Sequence, residues 1–381
     1  MIHIFFTAGS FYPAQIGGPD NVMYWQARAL VRRGHTISVA TTDDGVGDRV
    51  LLNRWLDTDY GRAYYAKTAI HYAPVRLWLA SLKPLWQCDI LHLSAMYYPI
   101  SWMLAPLALL LGKKVVWTPH GELDPDAMIY STGRKKAVLS FIRLFKKRIL
   151  FQSTCDAETG YIRAQLGVDT NIVQLSCFVE VVPKQPRTLT DAQSYWLFVG
   201  RIHPKKALER LINALPLVTD GRRLKVVGDY DNDYGREMMA LAEQLGCRDR
   251  IDFVGHKRDA EKYGLMANAF CLVMPSHTEN FGIVVTEALT QGTPVIASTG
   301  TPWQLLSERK AGVWASNDVE PLAEAMNQLA RLSPDAYAQY RANAVRVVDE
   351  FDVERNIQKW ELVYHEFLSG KLRTTFTPQP S

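Results

Sequence analysis

Apolar residues along this chain fall into two patterns. Short unbroken apolar runs read as buried strands, and stretches with apolar residues every three or four positions read as helices. In the first half, Ile2–Thr7, Thr36–Thr41, Asp89–Ser94 and Lys114–Thr118 are strand-like. A helix is predicted from about Pro19 to Arg33, stopped by Gly34, and another over Ile100–Leu111. Strands alternating with helices predict a parallel sheet covered on both faces. From Arg134 to Phe151 the spacing of Val138, Phe141, Ile142, Phe145 and Ile149 predicts one further helix. Its polar positions carry Arg134, Lys135, Lys136, Arg143, Lys146, Lys147 and Arg148 and no acid.

Pro183-Lys184-Gln185-Pro186 and the polar residues up to Ser194 interrupt the alternation and read as a linker. The pattern then restarts. Tyr195–Val199, Leu224–Val227, Ile251–Val254 and Phe270–Pro275 are strand-like, with helices predicted over Ala207–Leu217, Arg236–Gly246 and Ala260–Ala267. From Asp352 a last helix places Ile357, Trp360, Val363, Tyr364 and Phe367 on one face. The expected architecture is α/β, with two successive doubly wound domains.

Length agrees, since 381 residues can bury two separate cores. A net charge of +4 is too small to argue for nucleic acid. The apolar run from Ile100 is broken by Pro106 and too short to span a bilayer. The N-terminus has no basic leader or cleavage site and reads as a strand rather than a signal peptide. Cys88, Cys155, Cys177, Cys247 and Cys271 have no metal or redox spacing, which suits a reducing cytosol.

Chemistry concentrates in His277-Thr278-Glu279-Asn280-Phe281-Gly282-Ile283-Val284-Val285-Thr286-Glu287. Glu279 falls in a loop at the carboxyl end of a strand, and Glu287 about two turns into the helix that follows. Gly292-Thr293-Pro294-Val295-Ile296-Ala297 then reads as a turn and a buried strand. A helix start at such a position presents N–H groups that suit a phosphate. A carboxylate there needs a different partner, and sugar hydroxyls are hydrogen-bond donors. Gly200-Arg201-Ile202-His203-Pro204-Lys205-Lys206 follows another strand. Arg201 and Lys206, five residues apart, can converge on one diphosphate. Gly17-Gly18 lies in the first strand-to-helix loop without the spacing of a dinucleotide site. Asp229-Tyr230-Asp231-Asn232-Asp233 imitates a metal cluster but lacks a histidine or a distant carboxylate, and reads as a solvated loop.

The string from Pro275 to Ala297 resembles the Glu-x7-Glu motif of retaining nucleotide-sugar glycosyltransferases of family 4 (group 1), whose fold is GT-B. The resemblance covers nearly the whole chain. It implies two Rossmann-like domains facing a cleft. An acceptor domain would span 1–185, joined by the C-terminal helix over 352–370, and a donor domain 190–351. It implies a retaining, metal-independent transfer from a UDP- or GDP-sugar to a glycan or lipid-linked acceptor, in surface polysaccharide or glycolipid synthesis. No cofactor and no metal are expected, and the setting is cytoplasmic. The basic Arg134–Phe151 segment has two readings: a helix packing its apolar stripe on the sheet with its charges in water, or one lying on an anionic membrane surface, with Tyr97 and Tyr98 as exposed acceptor contacts.

The resemblance also implies roles. His120, in Thr118-Pro119-His120-Gly121, would orient the donor sugar. Glu279 and the main chain of Phe281, Gly282 and Ile283 would grip sugar and diphosphate. Glu287 would bind the ribose, and Arg201 and Lys206 the leaving group. Gly255 would face the nucleobase, and Gly17 and Gly18 the donor phosphates and the acceptor. The chain has Ala207 where the family has glycine, and Ser176-Cys177-Phe178-Val179 where it often has Pro-Asn-Gly-Val. A hydrolase or epimerase of the same fold, or a sugar-nucleotide-binding subunit without catalysis, are the alternatives left open.

Overall fold

Strand-forming residues in the first half collect in His3–Thr7 (β1), Thr36–Thr42 (β2), Trp55–Thr58 (β3), Gly61–Ala66 (β4), Ile90–Ser94 (β5), Lys114–Thr118 (β6), Ile149–Ser153 (β7) and Ile172–Gln174 (β8). In the computed structural model, which describes residues 1–14, 18–68, 74–128, 132–372 and 375–376, these form one sheet. Its order is β8-β7-β6-β5-β1-β2-β4-β3, with Thr375–Phe376 added beside β8. Only the β3–β4 hairpin is antiparallel. The helices between them are α1 (Gly18–Arg32), α2 (Val75–Gln87), α3 (Pro99–Leu110), α4 (Pro125–Met128), α5 (Thr132–Arg143) and α6 (Asp156–Leu166). β5 and β7 are buried along their whole length and β6 from Val115 onward, as strands with helices on both faces must be.

The chain divides into two units, Met1–Glu180 with Val353–Ser381, and Val181–Asp352. The second unit begins ahead of the proline-rich segment because Gln185 N donates to Gln291 Oε1 at 2.7 Å. It holds a six-stranded, wholly parallel sheet. The strands are β9 (Trp196–Val199), β10 (Leu224–Val227), β11 (Ile251–Gly255), β12 (Cys271–Met274), β13 (Val295–Ser298) and β14 (Gly312–Ala315). Its helices include α7 (Leu208–Ala214), α8 (Asp233–Gln244), α9 (Asp259–Asn268) and α10 (Ile283–Thr290).

The C-terminal helix, Val353–Ser369, belongs to the first unit. Ile357, Trp360, Val363 and Tyr364 are buried, and Phe367 sits under Lys114 Nζ at 5.1 Å. Arg32–Glu354, Arg33–Glu361 and His35–Glu361 pair this helix with α1 and the turn after it. Burying one large apolar side chain contributes about 1.5–3 kcal/mol, against about 0–1 for an exposed ion pair, so the apolar stripe holds the helix and the charges set its register.

The predicted helix over Arg134–Phe151 is wrong in its second half. α5 ends at Arg143, and Ile149–Ser153 is an interior strand between β6 and β8. Ile149, Leu150 and Phe151 satisfy either pattern, and only their neighbours decide. The intervening cations are occupied: Lys146 and Lys147 pair with Asp169, and Arg148 donates to Leu109 O at 2.8 Å. Helix α2 escaped the reading although Leu77, Ser81, Pro84 and Leu85 form a buried stripe, because Pro84 lies inside it and Val75, Leu79 and Trp86 add exposed apolar positions.

His92 links the sheet to the C-terminal helix. Its Nδ1 lies 2.7 Å from Tyr364 Oη and its Nε2 2.9 Å from Thr118 Oγ1. Burial, with His120 adding in the same direction, holds the His92 pKa down to about 3, and burial alone holds His120 at about 4. Both values lie below the 6.5 of an unfolded histidine, so below pH 6.5 the unfolded chain binds more protons. The stability tied to the neutral rings is complete above 6.5 and is lost as pH falls through 4 toward 3. Denaturation midpoints should therefore fall between pH 6.5 and 4, and less steeply in His92→Asn. Equal slopes in variant and parent would count against this account.

Candidate active site

In the second sheet the order is β11-β10-β9-β12-β13-β14. From β9 the chain winds outward through β10 and β11, then returns to place β12 on β9's other side. The connections leaving β9 and β12 therefore diverge, and a crevice opens outside the carboxyl ends of these two strands. The two richest segments of the sequence are these two connections. His277 N donates to Lys205 O at 3.0 Å, stitching them together. Lys206 Nζ forms an ion pair with Glu279 Oε1, which also accepts from Ser276 Oγ at 2.7 Å. Both charged side chains are largely buried, at 20% and 12% exposure, so the pair is shielded from bulk water. Glu279 N donates to Gly300 O at 3.1 Å, bringing in the connection after β13.

Ala207 lies at φ +52, the left-handed conformation that favours glycine. The turn nevertheless closes, with Ala207 N donating to Pro204 O at 2.9 Å, for a strain of about 1–2 kcal/mol. Gly282, at φ +81, precedes α10, and a Cβ there would lie 2.9 Å from Met274 Sδ. The carbonyl of Phe281 accepts from Trp303 Nε1, and the Phe281 ring packs on Trp303 and Phe351. The first N–H groups of α10, beginning at Ile283, thus leave from a fixed point four residues after Glu279, and helix starts leave such groups without intrahelical acceptors.

The other expected donor residues are placed differently. Arg201 is exposed. Glu287 is buried and paired with Lys262 Nζ of α9 at 2.6 Å, with Tyr263 Oη 3.5 Å away. A ribose there would share the carboxylate with a lysine that no sequence motif announced. Gly255 ends β11 at φ +76 and borders a surface cavity of about 430 Å³ lined also by Asp229, Tyr230, Asp231, Arg236 and Met239. Asp231 and Asp233 pair with Arg236, and Asn232 Oδ1 accepts from Gly235 N to cap α8. Among the described residues no group of three or more His, Cys, Asp or Glu is arranged to hold a metal ion.

In the first unit, Gly17 lies outside the described residues and Gly18 opens α1. Pro125 opens α4. His120 follows β6 at φ +54, and its Nε2 is sealed from solvent without a hydrogen-bond partner. It borders a cavity of about 10 Å³ shared with Gln26, His92, Thr118, Gln152 and Ser176, about the least that admits one water. Glu158 Oε1 accepts from Gly121 N at 2.7 Å. Glu122 accepts from the main chain of Met96 and Tyr97, and burial pushes its carboxyl up to about 7. Tyr98 is buried rather than exposed, its ring against Gly9. Tyr97 is half-buried, with Oη 3.0 Å from Met128 Sδ and Lys135 over its ring. Neither offers an open acceptor contact. Lys262, Trp303 and Glu158 were missed because each acts on a neighbour distant in sequence, and Ser276, three residues before Glu279, because a serine in a loop carries no signal of its own.

A family model described as Glycosyl transferases group 1 matches residues 184–347, and one described as Glycosyltransferase Family 4 matches residues 16–180. The chain is 30% identical over 164 residues to D-inositol 3-phosphate glycosyltransferase of Mycolicibacterium smegmatis, covering 40% of this chain and 38% of that one. It is 35% identical over 119 residues to lipopolysaccharide glucosyltransferase WaaG of Escherichia coli, covering 30% of each. It thus spans less than half the length of either curated relative. Among solved structures, Anabaena HepE in complex with UDP and glucose superposes with a TM-score of 0.78 at 18% identity, over 96% of this chain and 100% of that one.

Gly300 is the tightest point of the crevice wall, where an added Cβ would fall 1.9 Å from His277 O. Gly300→Ala should push the His277–Glu279 segment away from Lys206 and destabilise the protein by at least about 2 kcal/mol. Thermal denaturation measures this, and a melting temperature equal to the parent's would show that the connections are not locked as described.

Proposed function

The chain belongs to the group 1 glycosyl transferases of glycosyltransferase family 4 and has their GT-B fold, and on that premise we propose that it moves a sugar from a nucleotide-diphospho-sugar to an acceptor hydroxyl. One observation carries the reading. A shielded lysine–carboxylate pair, its glutamate four residues ahead of a helix, lies at the strand-order switch of a parallel sheet. In this reading a diphosphate takes over Lys206 and the N–H groups at the start of α10. Glu279, released from the lysine but still held by Ser276, accepts hydrogen bonds from sugar hydroxyls. Arg201, exposed at the mouth, adds charge to the departing diphosphate. His120 orients the sugar through its imidazole, and Glu287 meets the ribose alongside Lys262.

The transfer is proposed to retain anomeric configuration, the acceptor hydroxyl attacking from the face the diphosphate leaves and a phosphate oxygen taking its proton. Glu279 stays held by Ser276 and is assigned to the sugar hydroxyls, which supports leaving it out of the covalent chemistry. Lysine, arginine and a helix start supply the positive charge at the leaving group, which supports a metal-independent step. A uridine nucleotide is favoured between the UDP- and GDP-sugars, because HepE was solved with UDP and with UDP-glucose.

With EDTA present, turnover of a donor panel (UDP-glucose, ADP-glucose, GDP-mannose) should persist. Glu279→Ala should cost at least about 3 kcal/mol in kcat/KM, roughly a hundredfold, while UDP affinity holds or rises because Lys206 loses a competitor. Lys206→Ala should weaken UDP binding by calorimetry. A chelation-sensitive parent, or near-normal turnover in folded Glu279→Ala, would sink the corresponding assignment.

For the acceptor we propose a glycan or lipid-linked precursor of a surface polysaccharide, met at an anionic membrane face. WaaG, named for lipopolysaccharide, supports the acceptor class. Support for the membrane is narrower than the sequence implied: Arg134, Lys136 and Arg143 remain exposed beside Phe141 and Leu144, while Lys146 and Lys147 are paired with Asp169. Anionic vesicles should bind the protein at low salt and release it at high salt, with Lys136→Gln and Arg143→Gln weakening the binding by about 1 kcal/mol each. Indifference to such vesicles, with efficient transfer to a soluble acceptor, would remove the membrane from this account.

A further inference from the structure

His120 stands at φ +54, and Gly121 behind it at φ +78. A non-glycine residue in the left-handed region costs about 1–2 kcal/mol and persists only where its surroundings impose it. Here the restraint comes from another element. Glu158, in the first turn of α6 and 1% exposed, accepts from Gly121 N at 2.7 Å through Oε1. Its Oε2 accepts from both Thr154 N and Thr154 Oγ1 at 2.8 Å. The buried carboxylate thus fastens the peptide after His120 to the end of β7 and the start of α6. On the far side of the loop, Glu122 fastens the same segment to the main chain after β5, through Met96 N and Tyr97 N. The two side chains accept from main-chain N–H groups of different elements, so the backbone directly after the strained residue is held at two points.

We propose that Glu158 is a positioning residue for the transfer reaction, fixing the backbone of His120 and through it the direction of the imidazole. Both of its oxygens are turned to the protein, so it acts through the loop and not on substrate. This rests on the reading of His120 as a contact to the reacting sugar.

A double-mutant cycle tests it, with nucleotide release from UDP-glucose, ADP-glucose or GDP-mannose as one readout and UDP affinity by calorimetry as the other. Glu158→Gln keeps the volume and one acceptor oxygen but sets an amide against the Thr154 donors. It should slow turnover at least about tenfold in the parent and under about twofold in His120→Ala, because an effect relayed by His120 vanishes with it. UDP affinity should hold within about twofold, since Lys206, Arg201 and the start of α10 belong to the other folded unit. Equal effects in both backgrounds, parental turnover in Glu158→Gln, or loss of UDP affinity in step with turnover would each overturn the proposal. His120→Ala at the parental rate would instead overturn the reading of His120, and this proposal with it. Should Glu158→Gln melt below the assay temperature, Thr154→Val, which removes one donor to Oε2, enters the same cycle with a smaller effect in the same direction.

Discussion

The adjacency of β9 and β12 is the constraint on which the donor-side chemistry depends. A parallel sheet built outward in both directions from one strand must have a place where neighbouring connections diverge. In the second unit that place falls between the Gly200–Lys206 and Pro275–Gly282 segments. Everything else at the site follows from closing this gap. The His277–Lys205 main-chain bond spans it, the Lys206–Glu279 pair neutralises it, and Gly300 allows the third connection to touch its wall. The cation and the carboxylate satisfy each other. A buried lysine or glutamate left alone would be strongly destabilising, so the two charges depend on one another.

The first unit solves a different problem. Its sheet ends in loops that need unusual backbone at His120 and Gly121, and buried polar groups supply the restraint. Glu158 and Glu122 hold the loop through main-chain N–H groups, while His92 joins Thr118, at the end of β6, to Tyr364 of the C-terminal helix. These polar links lie within an apolar frame that includes Trp117, Phe151 and Trp360. Packing provides most of the stabilisation, and the polar contacts fix which backbone conformation is packed.

Much was legible in the chain itself. Alternating strand and helix signals gave the α/β architecture, and β6 has the bounds its apolar run predicts. The stripe through Ile357, Trp360 and Tyr364 marked a helix that needed a surface to cover. Departures came where local pattern was ambiguous. Ile149–Phe151 fits a helix stripe as well as a strand, and lies in the sheet because β6 and β8 flank it. Tyr98 follows a loop signal, yet its ring fills space beside Gly9. Helix α2 buries Leu77, Ser81, Pro84 and Leu85 at helical spacing, but exposed Val75, Leu79 and Trp86 and the internal Pro84 kept that stripe from being read.

The sequence by itself determined which chemical groups are present and which element end each occupies. Charge type, turn residues and strand ends are local properties, set within a few residues along the chain. Tertiary structure alone decided who meets whom: Lys206 with Glu279 across 73 positions, Lys262 with Glu287 across 25, Glu158 with Gly121 across 37. Those meetings follow from strand order, and strand order follows from which packing of helices on both faces buries the most apolar surface. That is a sum over the whole unit, and no single segment records it.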